Sequence, residues 1–126
     1  MNVLRKPPSI GDVLKYELNP NFTRETITLL AGATYPVGAV LGRITASGKY
    51  KLATSGGTDG AQAAAAVLLY PADATSADAA GLVIMRGPTI VSKAALVFDA
   101  TVDDAAKTAT KHSQLTAIGI IPRDQA

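Results

Sequence analysis

Small side chains dominate the apolar part of this sequence, and that limits the core it can build. Hydrophobic residues fill 48% of the 126 positions while aromatics supply only 5%, with no Trp, and alanine inflates the apolar share. Burial stabilises in proportion to area, at about 25 cal/mol per Å², so each small aliphatic group contributes little. A core of this kind points to a subunit whose burial is completed by partner subunits. The length favours one domain, since single cores stop growing above about 250 residues. The apolar share is too high for wholesale disorder.

Composition then excludes several chemistries. Without Cys there is no disulfide framework, thiol nucleophile or cysteine metal site, and the single His112 cannot form a histidine cluster for zinc. The start, Met1-Asn2-Val3-Leu4-Arg5-Lys6-Pro7-Pro8, carries charge and prolines where a signal peptide needs an apolar run. The longest apolar stretch, Ala63 to Tyr70, is far shorter than the roughly 20 residues that span a bilayer. The expectation is a soluble protein made in a reducing cytoplasm, with no membrane partner. Residues 1–24 hold Arg5, Lys6, Lys15 and Arg24 against Asp12 and Glu17, which accounts for the whole net charge of +2. Such a segment suits an arm that meets an acidic partner surface, but two excess charges are too few for nucleic acid.

Along the chain, Pro7-Pro8 and Gly11 make the first dozen residues resist regular structure. Val13 to Leu18 then alternates, with Leu14, Tyr16 and Leu18 on one side and Val13, Lys15 and Glu17 on the other, as in a half-buried strand. Asn19-Pro20-Asn21 ends it, leaving a lone strand ahead of the body that needs an edge to pair with, on this chain or on another. Thr26 to Leu30 is a second β-rich run. Val37 to Thr45 reads as a strand interrupted by Gly38 and Gly42, where bulges or close backbone approach are expected. The turn at Ser47-Gly48 joins it to Lys49-Tyr50-Lys51-Leu52, with the lysines outward and Tyr50 and Leu52 inward, a hairpin.

Ala61 to Tyr70 is ambiguous: its alanines favour a helix, while its Gly and Pro brackets and Val-Leu-Leu-Tyr end suit a buried strand. Pro71 to Ala80 reads as a polar, Asp-rich connection. Leu82 to Met85 forms a buried strand turned at Gly87-Pro88, followed by short β candidates at Thr89–Val91 and Leu96–Phe98. Thr101-Val102-Asp103-Asp104 has the form of a capping box opening a helix from Val102 to Ala117, stopped at Gly119. Lys107 stands four residues after Asp103, and Lys111 and His112 lie toward the negative helix end. Ile118, Ile120 and Ile121 form a short apolar finish before Pro122.

No catalytic constellation emerges, and the expectation is a protein that is not an enzyme and uses no cofactor. Gly42 to Tyr50 superficially resembles a phosphate-binding loop, but its glycines enclose five residues rather than four and Tyr50 stands where a Ser or Thr must reach Mg²⁺. His112 reads as a surface or helix-end residue, and Asp103-Asp104 as N-terminal capping, since adjacent helical residues point in different directions. Asn21-Phe22-Thr23 matches a glycosylation acceptor, read as accidental without a secretion signal. No serine sits in a Gly-x-Ser-x-Gly elbow.

Several stretches in fixed order carry a family likeness. They are Tyr16 to Glu25 (YELNPNFTRE), Tyr35 to Gly42 (YPVGAVLG), Thr45 to Tyr50 (TASGKY), Asp59-Gly60, Met85 to Pro88 (MRGP), Leu96-Val97-Phe98, and Leu115 to Ile120 (LTAIGI). Each is short, but in order and spacing the chain resembles the phage lambda-type head decoration proteins, also called capsid-stabilising or cementing proteins, from Tyr16 to Ile121. The resemblance implies an α+β, mainly β fold: a small β-clip-like domain with one C-terminal helix and an extended N-terminal arm. It tips Ala61 to Tyr70 toward strand.

The same resemblance implies a homotrimer on the outer surface of the expanded capsid, at three-fold and quasi-three-fold positions, stabilising the head against packaged DNA. N-terminal arms would add a strand to neighbouring major capsid proteins, with no direct contact to nucleic acid. On this reading residues 1–24 are the capsid-binding arm and 25–126 the decoration domain. Leu14, Tyr16 and Leu18 would form the pairing face of this arm, which also includes Val13, with Arg5, Lys6 and Lys15 guiding it electrostatically. The arm has the reach: about 20 extended residues at roughly 3.3 Å each span some 60 Å. The competing reading is a small β-barrel binding module for a sugar or other metabolite, which needs a pocket with convergent polar groups.

Overall fold

The computed structural model describes residues 9–124, so Arg5 and Lys6 lie outside the described residues. The fold is α+β and mainly β, with one long helix near the C-terminus. Five strands close a barrel in the order β2 (Arg24–Leu29), β5 (Tyr50–Leu52), β4 (Val40–Arg43), β6 (Ala66–Leu68) and β8 (Ala79–Ile84). The longest seam is antiparallel β2 on β8, running from Arg24 opposite Ile84 to Leu29 opposite Ala79. A single parallel pair, Leu29 with Tyr50, closes the other side. The expected hairpin is present as β4–β5, with Gly42 opposite Lys51 and a left-handed Gly48 in the connection.

Alternation along these strands serves two cores. Leu41, Ala66, Leu68 and Val83 point into the barrel with Leu29, Tyr35 and Tyr50. Their neighbours Val40, Val67, Leu69 and Ile84 point outward into a second core with Val13, Val91, Leu96, Leu115 and Ile120. A strand buried on both faces has no polar side to show. That resolves Ala61 to Tyr70: residues 66–68 are strand β6, and the alanines before them form turns rather than a helix. Small residues are needed there because backbones meet. A Cβ on Gly42 would stand 2.7 Å from both the carbonyl carbon and the Cα of Ala61, the close approach expected of that glycine.

Around the barrel lie a ribbon of β3 (Ala33–Tyr35) with β7 (Ala72–Ala74) and a three-stranded sheet. The ribbon falls partly in the segment read as a polar connection; the Ala-Asp-Ala of β7 has low strand propensity, and Tyr35 of β3, packed in the barrel core, fixes it. The sheet has the order β1 (Leu14–Glu17), β9 (Thr89–Ser92), β10 (Ile120–Arg123), with β1 antiparallel and β10 parallel to β9. The apolar finish of the chain is thus a strand, and Pro122 is tolerated because β10 is an edge. Leu96–Phe98, expected as a strand, makes one isolated bridge, Val97 with Ala39, after a single 3₁₀ turn at Lys93–Ala95.

The long helix α3 runs Ala105–Ala117, three residues shorter at its start than the capping box suggested. Asp104 is the cap, its Oδ1 accepting the Lys107 N–H at 2.8 Å. Thr101 is used elsewhere, its hydroxyl donating to Asp99 at 2.6 Å and accepting from the Ser55 N–H at 3.0 Å. The Asp103–Lys107 pair forms as expected, at 2.7 Å. Lys111, expected near the exposed negative helix end, is instead buried. Its amine donates to the Gln62 carbonyl and, at 3.3 Å, to Gln114 Oε1, and burial pushes its pKa down.

Candidate docking face

The N-terminal segment is held by short caps. Ser9 opens a helical turn α1 (Ile10–Val13) by donating its N–H to Asp12 Oδ2 at 2.8 Å, so regular structure begins where prolines and glycine argued against it. Val13 then drops fully into the second core. Strand β1 follows, and its register against β9 steps from Leu14 opposite Val91 to Tyr16 opposite Ile90. Two residues of β1 therefore span one of β9, a bulge at Lys15. The bulge breaks the simple alternation read for Val13 to Leu18. Leu14 packs half-buried on the core, whereas Lys15, Tyr16 and Leu18 are exposed. In the single chain the edge that β1 needs is supplied by β9, and the other edge of β1 has no strand partner among the described residues.

Asn19 caps the next helical turn, α2 (Pro20–Thr23), accepting from the Asn21 N–H at 2.9 Å, with Pro20 at the first position where its missing N–H costs nothing. This turn swings the chain from β1 into β2 and brings Glu17 against Arg24 at 2.5 Å, a two-point pair in which Arg24 Nε also reaches both carboxylate oxygens. The buried Thr23 hydroxyl donates to Glu17 at 2.6 Å. Burial alone would raise the Glu17 pKa. The hydrogen bonds from Arg24 and Thr23, with the Arg24 charge, outweigh it and hold the carboxyl below its ordinary value.

A second arginine completes the frame. Arg86 lies over the Phe22 ring at 5.5 Å, donates to the Phe22 carbonyl, and pairs with Glu25 at 2.9 Å. The turn it begins is tied on two sides. Leu18 donates to the Pro88 carbonyl at 3.1 Å, and Gly87 and Thr89 donate to the Ile118 and Gly119 carbonyls at 3.2 and 3.1 Å. Gly87 and Gly119 touch backbone to backbone: a Cβ on Gly87 would stand 2.8 Å from the Gly119 Cα and nearer still to its carbonyl.

The large hydrophobics left exposed gather around this turn. They are Tyr16 (48%), Leu18 (58%), Phe22 (52%), Tyr70 (48%) and Ile118 (36%). Leu18 and Ile118 bond the turn directly, Phe22 is stacked by Arg86, Tyr16 is two residues from Leu18, and the Tyr70 hydroxyl lies beside Arg24. Exposed large apolar groups set around one turn mark a candidate interaction site. Of the expected pairing residues the structure brings Tyr16 and Leu18 into it, beside Lys15 at the bulge. Sequence reasoning missed Phe22, Tyr70 and Ile118. A faint signal existed for two of them: Phe22 is a large apolar group inside an Asn-Pro turn, and Tyr70 ends an apolar run immediately before Pro71.

Elsewhere the polar groups are committed to the fold. A groove of about 270 Å³ at the opposite end of β2 is lined by Leu30, Tyr35, Lys51, Leu52, Thr54 and Asp99. There Lys51 is paired with Asp59 at 2.7 Å and Asp99 with Thr101, so the convergent polar groups of a metabolite site are already used. His112 packs its ring edge-on against Phe98 at 5.8 Å, with Nε2 buried and unbonded. Burial and the Lys93 charge lower its pKa against the opposing pull of Asp124. No group of three or more His, Cys, Asp or Glu among the described residues could hold a metal ion, and no described helix is long and apolar enough to cross a membrane.

An open strand edge beside a framed apolar patch defines a protein that works by presenting a surface. Over residues 3–120 the chain matches the family model described as Bacteriophage lambda head decoration protein D, and it belongs to that family. No curated protein matches the chain. The family is one of structural phage proteins rather than enzymes, and it gives this chain a role in decorating the phage capsid and a place in the virion.

Proposed function

We propose that the chain binds as a homotrimer to the outer surface of the expanded phage head, at three-fold and quasi-three-fold positions, and ties neighbouring major capsid proteins together. The N-terminal segment, taken as residues 1–24, makes the tie by adding a strand to the capsid protein. The observation that carries the reading is the unpaired edge of β1, next to exposed Lys15, Tyr16 and Leu18. An open edge offers unpaired N–H and C=O groups to an incoming chain. Val13 and Leu14 anchor the segment to the domain, while Arg5 and Lys6 precede it and steer it. Three linked weak contacts then act together, so overall binding far exceeds that of any single arm. The small-residue core fits this role, since its burial is finished between subunits.

Because Val13 belongs to the core, the test removes only residues 1–8. Full-length and shortened proteins are compared for cosedimentation with expanded and unexpanded shells, and for mass by analytical ultracentrifugation. The expected result is trimers in both cases, binding to expanded shells, and a large loss of binding on shortening. Equal binding by the shortened protein would refute a tie that needs residues 1–8 ahead of β1, and equal binding to unexpanded shells would refute the choice of expanded heads.

A further inference from the structure

We propose that the domain itself makes a second contact with the shell through Leu18, Phe22, Tyr70 and Ile118, and that the surface it meets is apolar and uncharged. The inference rests on the decoration reading and adds to the strand edge a patch of side chains. Two features separate this patch from ordinary exposed residues. Its anchors are held in place before any partner arrives: Phe22 is stacked under Arg86, whose guanidinium also bonds the Phe22 carbonyl, and Tyr70 is followed by Pro71 and lies beside Arg24. Aromatic anchors already fixed in position lose little freedom on binding and tend to dominate interface energy.

The second feature is charge. The two cations framing the patch, Arg24 and Arg86, are each neutralised within the chain, by Glu17 at 2.5 Å and Glu25 at 2.9 Å. Neither offers net charge to a partner, so an acidic or basic counter-surface gains nothing here and an apolar one loses nothing. The patch is continuous with the open edge of β1 through Tyr16 and Leu18, so a chain laid along that edge reaches it. This continuity favours the capsid protein as occupant over a second copy of the decoration chain. Contact is therefore divided into a salt-sensitive part, guided by Arg5, Lys6 and Lys15, and a salt-insensitive part made by the patch.

The test uses expanded shells assembled from the major capsid protein of the same phage. Binding is measured at 50 and 500 mM NaCl for the full chain, for Phe22→Ala combined with Tyr70→Ala, and for the chain lacking residues 1–8. Both substituted side chains are about half exposed, and thermal unfolding checks that the double variant stays folded. A second pair, Leu18→Ser with Ile118→Ser, keeps the test decisive if the first pair fails to fold. The expected result is at least a tenfold loss of affinity for the folded variant, of equal size at both salt concentrations, while the loss from removing residues 1–8 shrinks at high salt. Binding within twofold of the full chain would overturn the inference and leave the arm standing. So would a lower sedimentation mass for the variant, which would assign the patch to contacts between copies. If the full chain bound no shell, the decoration reading would fall and the inference with it.

Discussion

Replacing Gly87 with alanine tests whether the β8–β9 turn and the end of α3 are held together by backbone contact. The added Cβ would lie 2.8 Å from the Gly119 Cα and closer to its carbonyl, where real Cβ atoms essentially never come within 3.0 Å. Backbone cannot rotate away as a side chain can, so the two segments must separate. A separation of about 1 Å lengthens the Gly87–Ile118 and Thr89–Gly119 bonds, now 3.2 and 3.1 Å, past the usual hydrogen-bond limit. Losing them costs about 1 kcal/mol each, and residual overpacking adds about 1–3 kcal/mol. The sum, about 3–5 kcal/mol, is a large part of the roughly 5–15 kcal/mol that holds a domain folded. It corresponds to a melting temperature lower by on the order of 10–20 °C. Urea unfolding followed by far-UV circular dichroism measures it, with Gly56→Ala as control. A Cβ on Gly56 meets nothing within 4 Å, so that change should be neutral or stabilise by about 0.4–1 kcal/mol. If Gly87→Ala lay within about 1 kcal/mol of the unsubstituted protein with an unchanged denaturant slope, the claim that this contact closes the fold would be wrong.

Two acid-range predictions follow from named partners. Glu17→Gln should cost about 2 kcal/mol at pH 7, because charge-assisted bonds to Arg24 and Thr23 are lost on a side chain only 10% exposed. Since the Glu17 pKa is lowered on folding, its contribution is present above the ordinary 4.5 and disappears as pH falls through the folded value, so denaturation at pH 7 and pH 3 should show the two proteins converging in acid. His112 titrates in a higher window. Its folded pKa lies below the ordinary 6.5, so stability is full above that value and lost as pH falls through the folded one. His112→Gln should flatten the melting-temperature profile between pH 7.5 and pH 5, and an unchanged slope there would contradict the burial of Nε2.

The elements legible in the sequence are those whose signal is local. The β4–β5 hairpin was readable because Tyr50 and Leu52 alternate with lysines and Gly48 marks the connection, and strands β2, β8 and β9 show as β-rich runs between Gly and Pro. Elements set by distant contacts were not. Ribbon β3–β7 exists because Tyr35 packs in the barrel, and β10 because β9 offers it an edge. The bulge at Lys15 is invisible to a period-two reading, which is why Val13 and Leu14 were grouped with surface residues. The helix start moved from Thr101 to Asp104 because both residues can cap and only tertiary contact tells which hydrogen bond forms. The same holds at the docking face. Tyr16 and Leu18 were identified from their own segment, while Tyr70 and Ile118 reach the patch from positions more than 45 residues further along the chain.

Strand β9 is flanked by β1 from the beginning of the chain and β10 from its end. Synthesis runs in one direction, so β1 waits for a partner 75 residues downstream, from Leu14 to Thr89, and the β8–β9 turn then waits a further 31 residues, from Gly87 to Ile118, for the carbonyls that tie it. Non-local pairings of this kind form late because loop closure must precede them. A chain released before residue 119 lacks the atoms that tie this turn, and so lacks the finished surface. Completeness of translation is thereby built into the finishing of this face: a copy that stops short of Gly119 cannot close the β8–β9 turn.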